Sequence, residues 1–316
     1  MRKHGFTEAG KQRWRCVPCG STGVRSRPDV SSRNSEAAFL SWASSKETVT
    51  SASRRLGVVR ETASRRFSIF LGSAPAPLPP GRPAVLALDA VTVAPREAVA
   101  LVAADVSLSS PCGWSFACRE SFTSWFGFLS GLRDLGVVPE AVVCDGQRGL
   151  LLALRAVWPE ARVQRCLIHV HRQALAWLTR HPMTEAGQSL RLLVSALTGV
   201  ATAAQSRSWA EGFRAWDAGH AAFLKERTFG QGGSWWYTHR RVRAVRSLLR
   251  NALPSLFLFT ESPSVPRTSN HVEGGINSRI KELLRSHRGL KRHRRIALVS
   301  WYLVSRQRRK ATRNVT

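Results

Sequence analysis

Three carboxylates stand out by their place in the hydropathy pattern. Asp89 interrupts Ala84 to Val93 (AVLALDAVTV), a run of alanine, valine and leucine that is apolar on both faces, as in a strand covered on each side of a sheet. A lone carboxylate there is costly unless something positive or hydrogen-bonding compensates, and the nearest basic side chains, Arg82 and Arg96, lie outside the run. Asp145 follows the short apolar run Ala141 to Cys144 and precedes Gly146. It therefore stands at a strand's carboxyl end, where open α/β sheets gather ligands and metals, although Asp-Gly is also a favoured turn pair. Glu273 lies in TSNHVEGGINSRIKELLRS (Thr268 to Ser286), where Val272, Ile276, Ile280, Leu283 and Leu284 form an apolar helix face beside a polar stripe of Asn270, Glu273 and Asn277. It either closes a capping box begun at Asn270 or reaches toward the two aspartates. Gly274 and Gly275 each cost a helix interior about 1 kcal/mol, which favours the second reading, with another backbone or a DNA strand in close approach. Three hard oxygen donors without a softer ligand suit Mg²⁺ or Mn²⁺ rather than zinc. Two such ions can activate a water or a 3′-hydroxyl and stabilise the leaving oxygen of a phosphodiester displacement. A structural ion pair between Asp89 and a distant arginine is the alternative.

The elements that would carry these acids follow from the same pattern. Ala84 to Val93, Ala98 to Leu108 and Trp114 to Arg119 read as three consecutive strands, with Ser109-Ser110-Pro111 in a turn. A helix over Phe122 to Leu135, the strand Ala141 to Cys144, a helix over Leu150 to Val157 and a strand-like run Val163 to Val170 come next. This order describes an α/β fold, a mixed sheet with helices on both faces. If its first and fourth strands are neighbours, Asp89 and Asp145, 56 positions apart (145 minus 89), converge. Asp105 also interrupts a strand, but it lacks the following glycine and ranks lower as the second acid.

Basic residues number 48 against 20 acidic ones, a net charge of +28, and with seven lysines the remaining forty-one are arginines, the side chain suited to bidentate phosphate contact. Spread over every segment, they predict a polyanionic partner, DNA above all. No apolar run approaches a bilayer span and no signal pattern opens the chain, so a soluble, cytoplasmic, nucleoid-associated protein without a membrane partner is expected. Six cysteines, one Cys-x-x-Cys pair and four scattered thiols, fit a reducing compartment.

Residues 1–30 place Cys16 and Cys19 at zinc-knuckle spacing. Two thiolates do not close a tetrahedral site, so the segment reads as half a zinc ribbon whose other half lies upstream or was lost, with His4 as one substitute ligand. Residues 31–71 have the cadence of a helix-turn-helix around Gly57, whose second helix offers Arg60, Thr62, Ser64 and Arg65 to a major groove; a plain helical hairpin is the alternative. Residues 72–83 (GSAPAPLPPGRP, Gly72 to Pro83) form a stiff linker. The core then spans 84–182 and 266–316, interrupted by a helical insertion over 183–265. Within that insertion Arg240, Arg241, Arg243 and Arg246 would track phosphate, and Trp209, Trp216, Trp235 and Trp236 either stack on unpaired bases or form core. Lys291 to Arg313 reads as a last helix with phosphate-binding ends or a solvated basic face.

Taken together, the helix-turn-helix, strand Asp89, strand-end Asp145, Cys166-Leu167-Ile168-His169, the helical insertion and Asn270-His271-Val272-Glu273-Gly274 resemble the insertion-sequence DDE transposases of the Mutator-like superfamily. The resemblance implies an RNase H-like core with a helical insertion before the last acid, and Asp89, Asp145 and Glu273 as a catalytic, Mg²⁺- or Mn²⁺-binding triad. It makes Cys166, His169 and Asn270 site-adjacent. It implies strand cleavage and strand transfer on double-stranded DNA, at terminal inverted repeats and target, by at least a homodimer. A catalytically inactive remnant that only binds DNA, and an RNase H-like nuclease or resolvase, are the competing readings.

Overall fold

The computed structural model describes residues 1–24 and 28–313; of residues 28–33, 271, 273 and 310–313 it describes the backbone alone. The chain divides into two compact units, Met1–Ala74 and Pro75–Thr316.

In the first unit β1 (Arg2–Phe6), β2 (Gln12–Arg15) and β3 (Thr22–Val24) form an antiparallel sheet in that order. Cys16 and Cys19 lie in the β2–β3 turn, closed by the Gly20 amide donating to the Cys16 carbonyl at 3.0 Å, with Gly20 at φ 73°. Hydrogen bonds to Ser21, and then to Cys16, lower the exposed Cys19 thiol to about 7. Three helices follow: α1 (Pro28–Ala43), α2 (Val49–Arg55) and α3 (Arg60–Gly72). Thr48 caps α2 by accepting from the Ser51 amide, and Gly57 at φ 63° makes the turn that an L side chain would strain. Ala63, Phe67 and Leu71, four apart, give α3 one buried face, where Phe67 stacks on Trp42 at 4.7 Å and Phe70 stacks on Phe39 at 4.9 Å. Arg60, Ser64 and Arg65 are exposed and Thr62 is half-buried.

The second unit opens on the proline-rich stretch, which has no regular structure but is tethered: the Leu78 amide donates to Gln307 Oε1 at 2.9 Å. Then come β4 (Val85–Ala94), β5 (Ala98–Asp105) and β6 (Ser110–Ala117). The turn expected at Ser109-Ser110-Pro111 lies earlier, over residues 106–109, and Ser110 and Pro111 already belong to β6. Asp105 Oδ1 accepts from Ser107 Oγ at 2.6 Å and from the Leu108 amide at 3.1 Å, which ends β5 there, and Ser109 at φ 47° completes the reversal. Asp105 is thereby spent on a turn. The chain continues through α4 (Phe122–Asp134), β7 (Ala141–Cys144), α5 (Arg148–Val157) and β8 (Arg162–Arg165). The sheet order is β6-β5-β4-β7-β8, antiparallel from β6 to β4 and parallel from β4 to β8. The expected strand Val163 to Val170 is cut short, because α6 (Leu167–Leu178) begins after Cys166. Leu167, Val170, Ala174 and Leu178 repeat at three and four, a helical period that overrides the β-rich start of the run.

Three more helices, α7 (Glu185–Ala196), α8 (Ala203–Gly219) and α9 (Arg240–Ala252), share with α6 a separate apolar core. Trp209 and Trp216 belong to it, with their indole N–H groups donating to the Leu193 and Ala186 carbonyls at 2.8 and 3.1 Å; for these two the core alternative holds. The insertion is not wholly helical as expected. A hairpin of β9 (Arg227–Phe229) and β10 (Trp235–Tyr237) precedes α9. The chain returns to the sheet through α10 (Asn270–Val272), a π turn (Glu273–Asn277) and α11 (Ser278–Ser286), and ends on α12 (Arg292–Arg313). Far from being only a solvated basic face, α12 buries Val299, Tyr302, Leu303 and Val304 in the core.

Side-chain alternation sorts the sheet. Val85, Ala87, Val91 and Val93 of β4 and Ala141 and Val143 of β7 face Val272, Ile276, Ile280 and Leu283 and the apolar side of α12. Leu86, Leu88, Val142 and Cys144 face the other way, toward Trp125 and Leu129 of α4 and Leu150 and Leu154 of α5. On that second side α4 and α5 meet at Gly149, where a Cβ would lie 2.6 Å from the Phe122 nitrogen and 2.9 Å from the Ser121 carbonyl carbon. Backbone cannot step aside as a side chain can. Gly149→Ala is therefore expected to cost about 1–3 kcal/mol, the usual penalty of overpacking, read as a lower midpoint for thermal unfolding of the second unit. An unchanged midpoint would contradict this packing.

Candidate active site

The odd-numbered alternation that sends Ala87 and Val91 toward α11 and α12 includes Asp89, and that of Ala141 and Val143 continues to Asp145. The parallel register pairs Leu88 with Cys144, so Asp89 and Asp145 each stand one residue beyond a paired position, side by side at the sheet's β4–β7 seam. Both line a cleft of about 410 Å³ together with Glu120, His169, Asn277, Ser278, Lys281 and Arg285.

Each aspartate is held. Asp89 Oδ2 accepts from Asn277 Nδ2 at 2.7 Å, and Asp89 Oδ1 accepts from the Ala90 amide at 2.9 Å. Asp145 Oδ1 accepts from the Gln147 amide at 2.9 Å, while Gln147 Oε1 takes the Leu150 amide at 2.7 Å and caps α5. The strand-to-helix turn needs its glycine. Gly146 sits at φ 84°, and a Cβ there would fall 1.7 Å from Arg165 Nε, the atom that donates to the Asp145 carbonyl at 3.2 Å.

Glu120 is a carboxylate that strand and helix periodicity did not reveal. It follows β6, and Trp125 Nε1 donates to its Oε1 at 2.9 Å. Burial pushes its carboxyl up, the Trp125 bond opposes that rise, and the nearby Asp145 charge adds to it. Lys281 and Arg285 were missed as well, although Asn277, Lys281 and Arg285 recur every four residues and so share one helix face. Both cations are exposed at the cleft and suit phosphate.

The backbone of Glu273 lies in the π turn that packs against β4, and its side chain lies outside the described residues. A π turn frees a carbonyl, and Arg306 Nη1 of α12 donates to that of Gly275 at 2.9 Å while Ser278 Oγ donates to that of Gly274. Gly274 and Gly275 do not mark the close approach of another part of the chain: a Cβ on either would meet no atom within 4 Å. Asn270 is exposed at the start of α10, and Asn277 is the asparagine that reaches Asp89.

Cys166 stands one layer behind the cleft. The Cys166 amide donates to the Cys144 carbonyl at 2.6 Å, and its sulfur accepts from the Ser269 amide at 3.4 Å, which ties the segment entering α10 to the end of β7. Burial raises the Cys166 thiol, but hydrogen bonds from His169 and Ser269 outweigh it and hold the group below its ordinary value. His169 itself lines the cleft. Among the described residues no three His, Cys, Asp or Glu side chains form a metal-binding group.

Of the expected phosphate contacts in the insertion, Arg240 and Arg241 are exposed. Arg243 is half-buried, with its guanidinium 3.4 Å above the Tyr237 ring and donating to the Leu224 carbonyl, and Arg246 is paired with Asp217. No helix among the described residues is long and apolar enough to cross a membrane.

Residues 84–227, from β4 to the start of the hairpin, match the family model described as transposase, Mutator family. Over that stretch the chain is similar to Mutator-family transposases. Known relatives agree. A transposase for insertion sequence element ISRM5 of Rhizobium meliloti is 36% identical over 120 residues, 35% of this chain and 30% of that protein. A probable transposase for an insertion sequence element of Corynebacterium diphtheriae is 32% identical over 87 residues, 27% and 25% of the two chains. A transposase for insertion sequence element IS905 of Lactococcus lactis is 35% identical over 69 residues, 22% and 18%. The chain thus aligns with less than a third of the length of these curated relatives. The transposase domain match takes in Asp89, Glu120, Asp145, Cys166 and His169 and stops well before Glu273.

Proposed function

We propose that this chain is a DNA transposase of the insertion-sequence kind, with an RNase H-like core in which Asp89, Asp145 and Glu273 hold divalent metal and cut and join DNA strands. The observation that carries this reading is that Asp89 and Asp145 line one cleft at the end of the β4–β7 seam, on the face covered by the segment that bears Glu273. The donor set fits Mg²⁺ or Mn²⁺: the acids offer hard oxygens, no thiolate of a described residue lines the cleft, and Asn277 Oδ1 is buried at the cleft without a hydrogen bond from any described residue. When bound, two such ions supply Lewis acidity to the attacking and leaving oxygens of an in-line displacement.

The chain's own residues do the positioning. Asn277 fixes the Asp89 carboxylate, the Gln147 amide fixes that of Asp145, and Lys281 and Arg285 draw the scissile phosphate into the cleft. Gly57 and α3 serve as a helix-turn-helix that reads the element's ends through Arg60, Thr62, Ser64 and Arg65, and two or more copies pair the two ends. Cys16 and Cys19 form part of a zinc ribbon only if further ligands join them.

The test uses the full chain and duplexes taken from the DNA flanking its gene. Cleavage that leaves 3′-hydroxyl ends at terminal repeats, and joining of those ends to a second duplex, are expected with Mg²⁺ or Mn²⁺ and not with EDTA. Binding without cleavage under every divalent ion would leave a DNA-binding protein. Cutting of branched DNA without regard to the repeats would make it a nuclease or resolvase.

A further inference from the structure

The β9–β10 hairpin carries aromatic surface that the cores do not use. In its register Trp235 pairs with Phe229 and Tyr237 with Arg227, which puts these four side chains on one face of the ribbon. Phe229 is 72% exposed, Trp235 46% and Trp236, on the opposite face, 37%. Trp209 and Trp216, by contrast, are buried with their N–H groups satisfied, so the hairpin rings are not core tryptophans. Solvated aromatics clustered on one ribbon mark a binding surface.

The charges around the rings choose the partner. Arg227 lies 4.0 Å above the Trp235 ring and Arg240 lies 5.4 Å from the centre of the Trp236 ring, so an arginine attends each indole. Trp235 meets Tyr237 edge to face at 5.4 Å, which fixes its plane. Glu226, the acid that precedes the ribbon, is taken by His239 at 2.7 Å. Aromatic residues and arginine also occur together in protein interfaces, but a chain of net charge +28 favours a polyanion. Flat rings flanked by guanidinium groups suit a ligand that has flat π faces and phosphates together. In paired duplex those faces are already stacked; unpaired nucleotides present them. At the tip, a Cβ on Gly232 or Gly233, both at positive φ, would meet no atom within 4 Å, so no neighbouring side chain there obstructs a strand.

We infer that the face formed by Arg227, Phe229, Trp235 and Tyr237 is a stacking platform for unpaired nucleotides of a DNA strand. The inference rests on reading the chain as DNA-binding and is independent of the carboxylate cluster.

Fluorescence anisotropy of the full chain tests it, with a labelled blunt duplex and the same duplex carrying a single-stranded extension. The wild-type chain should prefer the extended duplex. Phe229→Ala with Trp235→Ala should lower affinity for the extended duplex about tenfold, a loss of the size of a base–aromatic stack, and leave the blunt duplex unchanged. Trp235→Phe, which keeps a ring, should retain most of the preference. The difference should persist as salt rises, since stacking releases no counterions. Equal affinities for wild type and double variant, an equal loss on both duplexes, or a self-association of the wild type that the double variant abolishes would each overturn the platform while leaving DNA binding in place. Failure of the wild-type chain to bind either duplex would overturn the DNA-binding reading and the platform with it.

Discussion

Asp89→Asn is expected to abolish strand cleavage while leaving affinity for DNA within a small factor of wild type. The substitution keeps the shape of the side chain and its place beside Asn277, but removes a negative charge from the cleft that it shares with Asp145. If that charge holds a catalytic ion, its loss costs several kcal/mol of transition-state stabilisation, a fall on the order of a thousandfold in rate. Apart from Lys281 and Arg285, the phosphate contacts proposed above lie on exposed arginines outside the cleft and should be indifferent to the change. The measurement is cleavage of an end-bearing duplex beside anisotropy on the same DNA. Cleavage at the wild-type rate would remove Asp89 from the chemistry, whereas loss of cleavage and binding together would point to a damaged fold.

The second large effect is expected at Gly146. An alanine there has to keep φ 84° with a Cβ 1.7 Å from Arg165 Nε. Arg165 is only 7% exposed and its Nε bonds the Asp145 carbonyl, so it has little room to retreat. Relief must come from the turn itself, which moves Asp145. Strain of a non-glycine residue at positive φ costs about 1–3 kcal/mol, and a shift of about 1 Å in a catalytic group lowers rate roughly a hundredfold. Gly146→Ala should therefore melt earlier and cleave far more slowly. Adding Arg165→Ala removes the overlap but not the backbone strain, so the double variant should recover part of the rate. Wild-type cleavage by Gly146→Ala alone would show that the turn does not set the position of Asp145.

The two aspartates were legible because each breaks a rule: one interrupts a doubly apolar strand, and the other ends a strand at a glycine. Their convergence required the first and fourth strands to be neighbours, which β4 and β7 are. Glu120 could not be found this way. It belongs to a connection, and what makes it a cleft residue is Trp125 holding it and Asp145 lying near, both products of tertiary packing. Cys166 misled for a related reason: β-branched residues before and after it imitate one long strand, whereas the leucine and alanine spacing beyond it is helical. The hairpin was hidden because three-residue strands around a glycine tip leave too short a pattern to register against the helices on either side.

Arg306, near the end of α12, grips the carbonyl that the π turn releases at Gly275, while the strands bearing the two aspartates come much earlier in the chain. During synthesis α12 is the last of these elements to leave the ribosome, so a nascent polypeptide lacks both the brace behind its cleft and part of the apolar cover of the sheet, and the pocket becomes whole only once this late helix has docked.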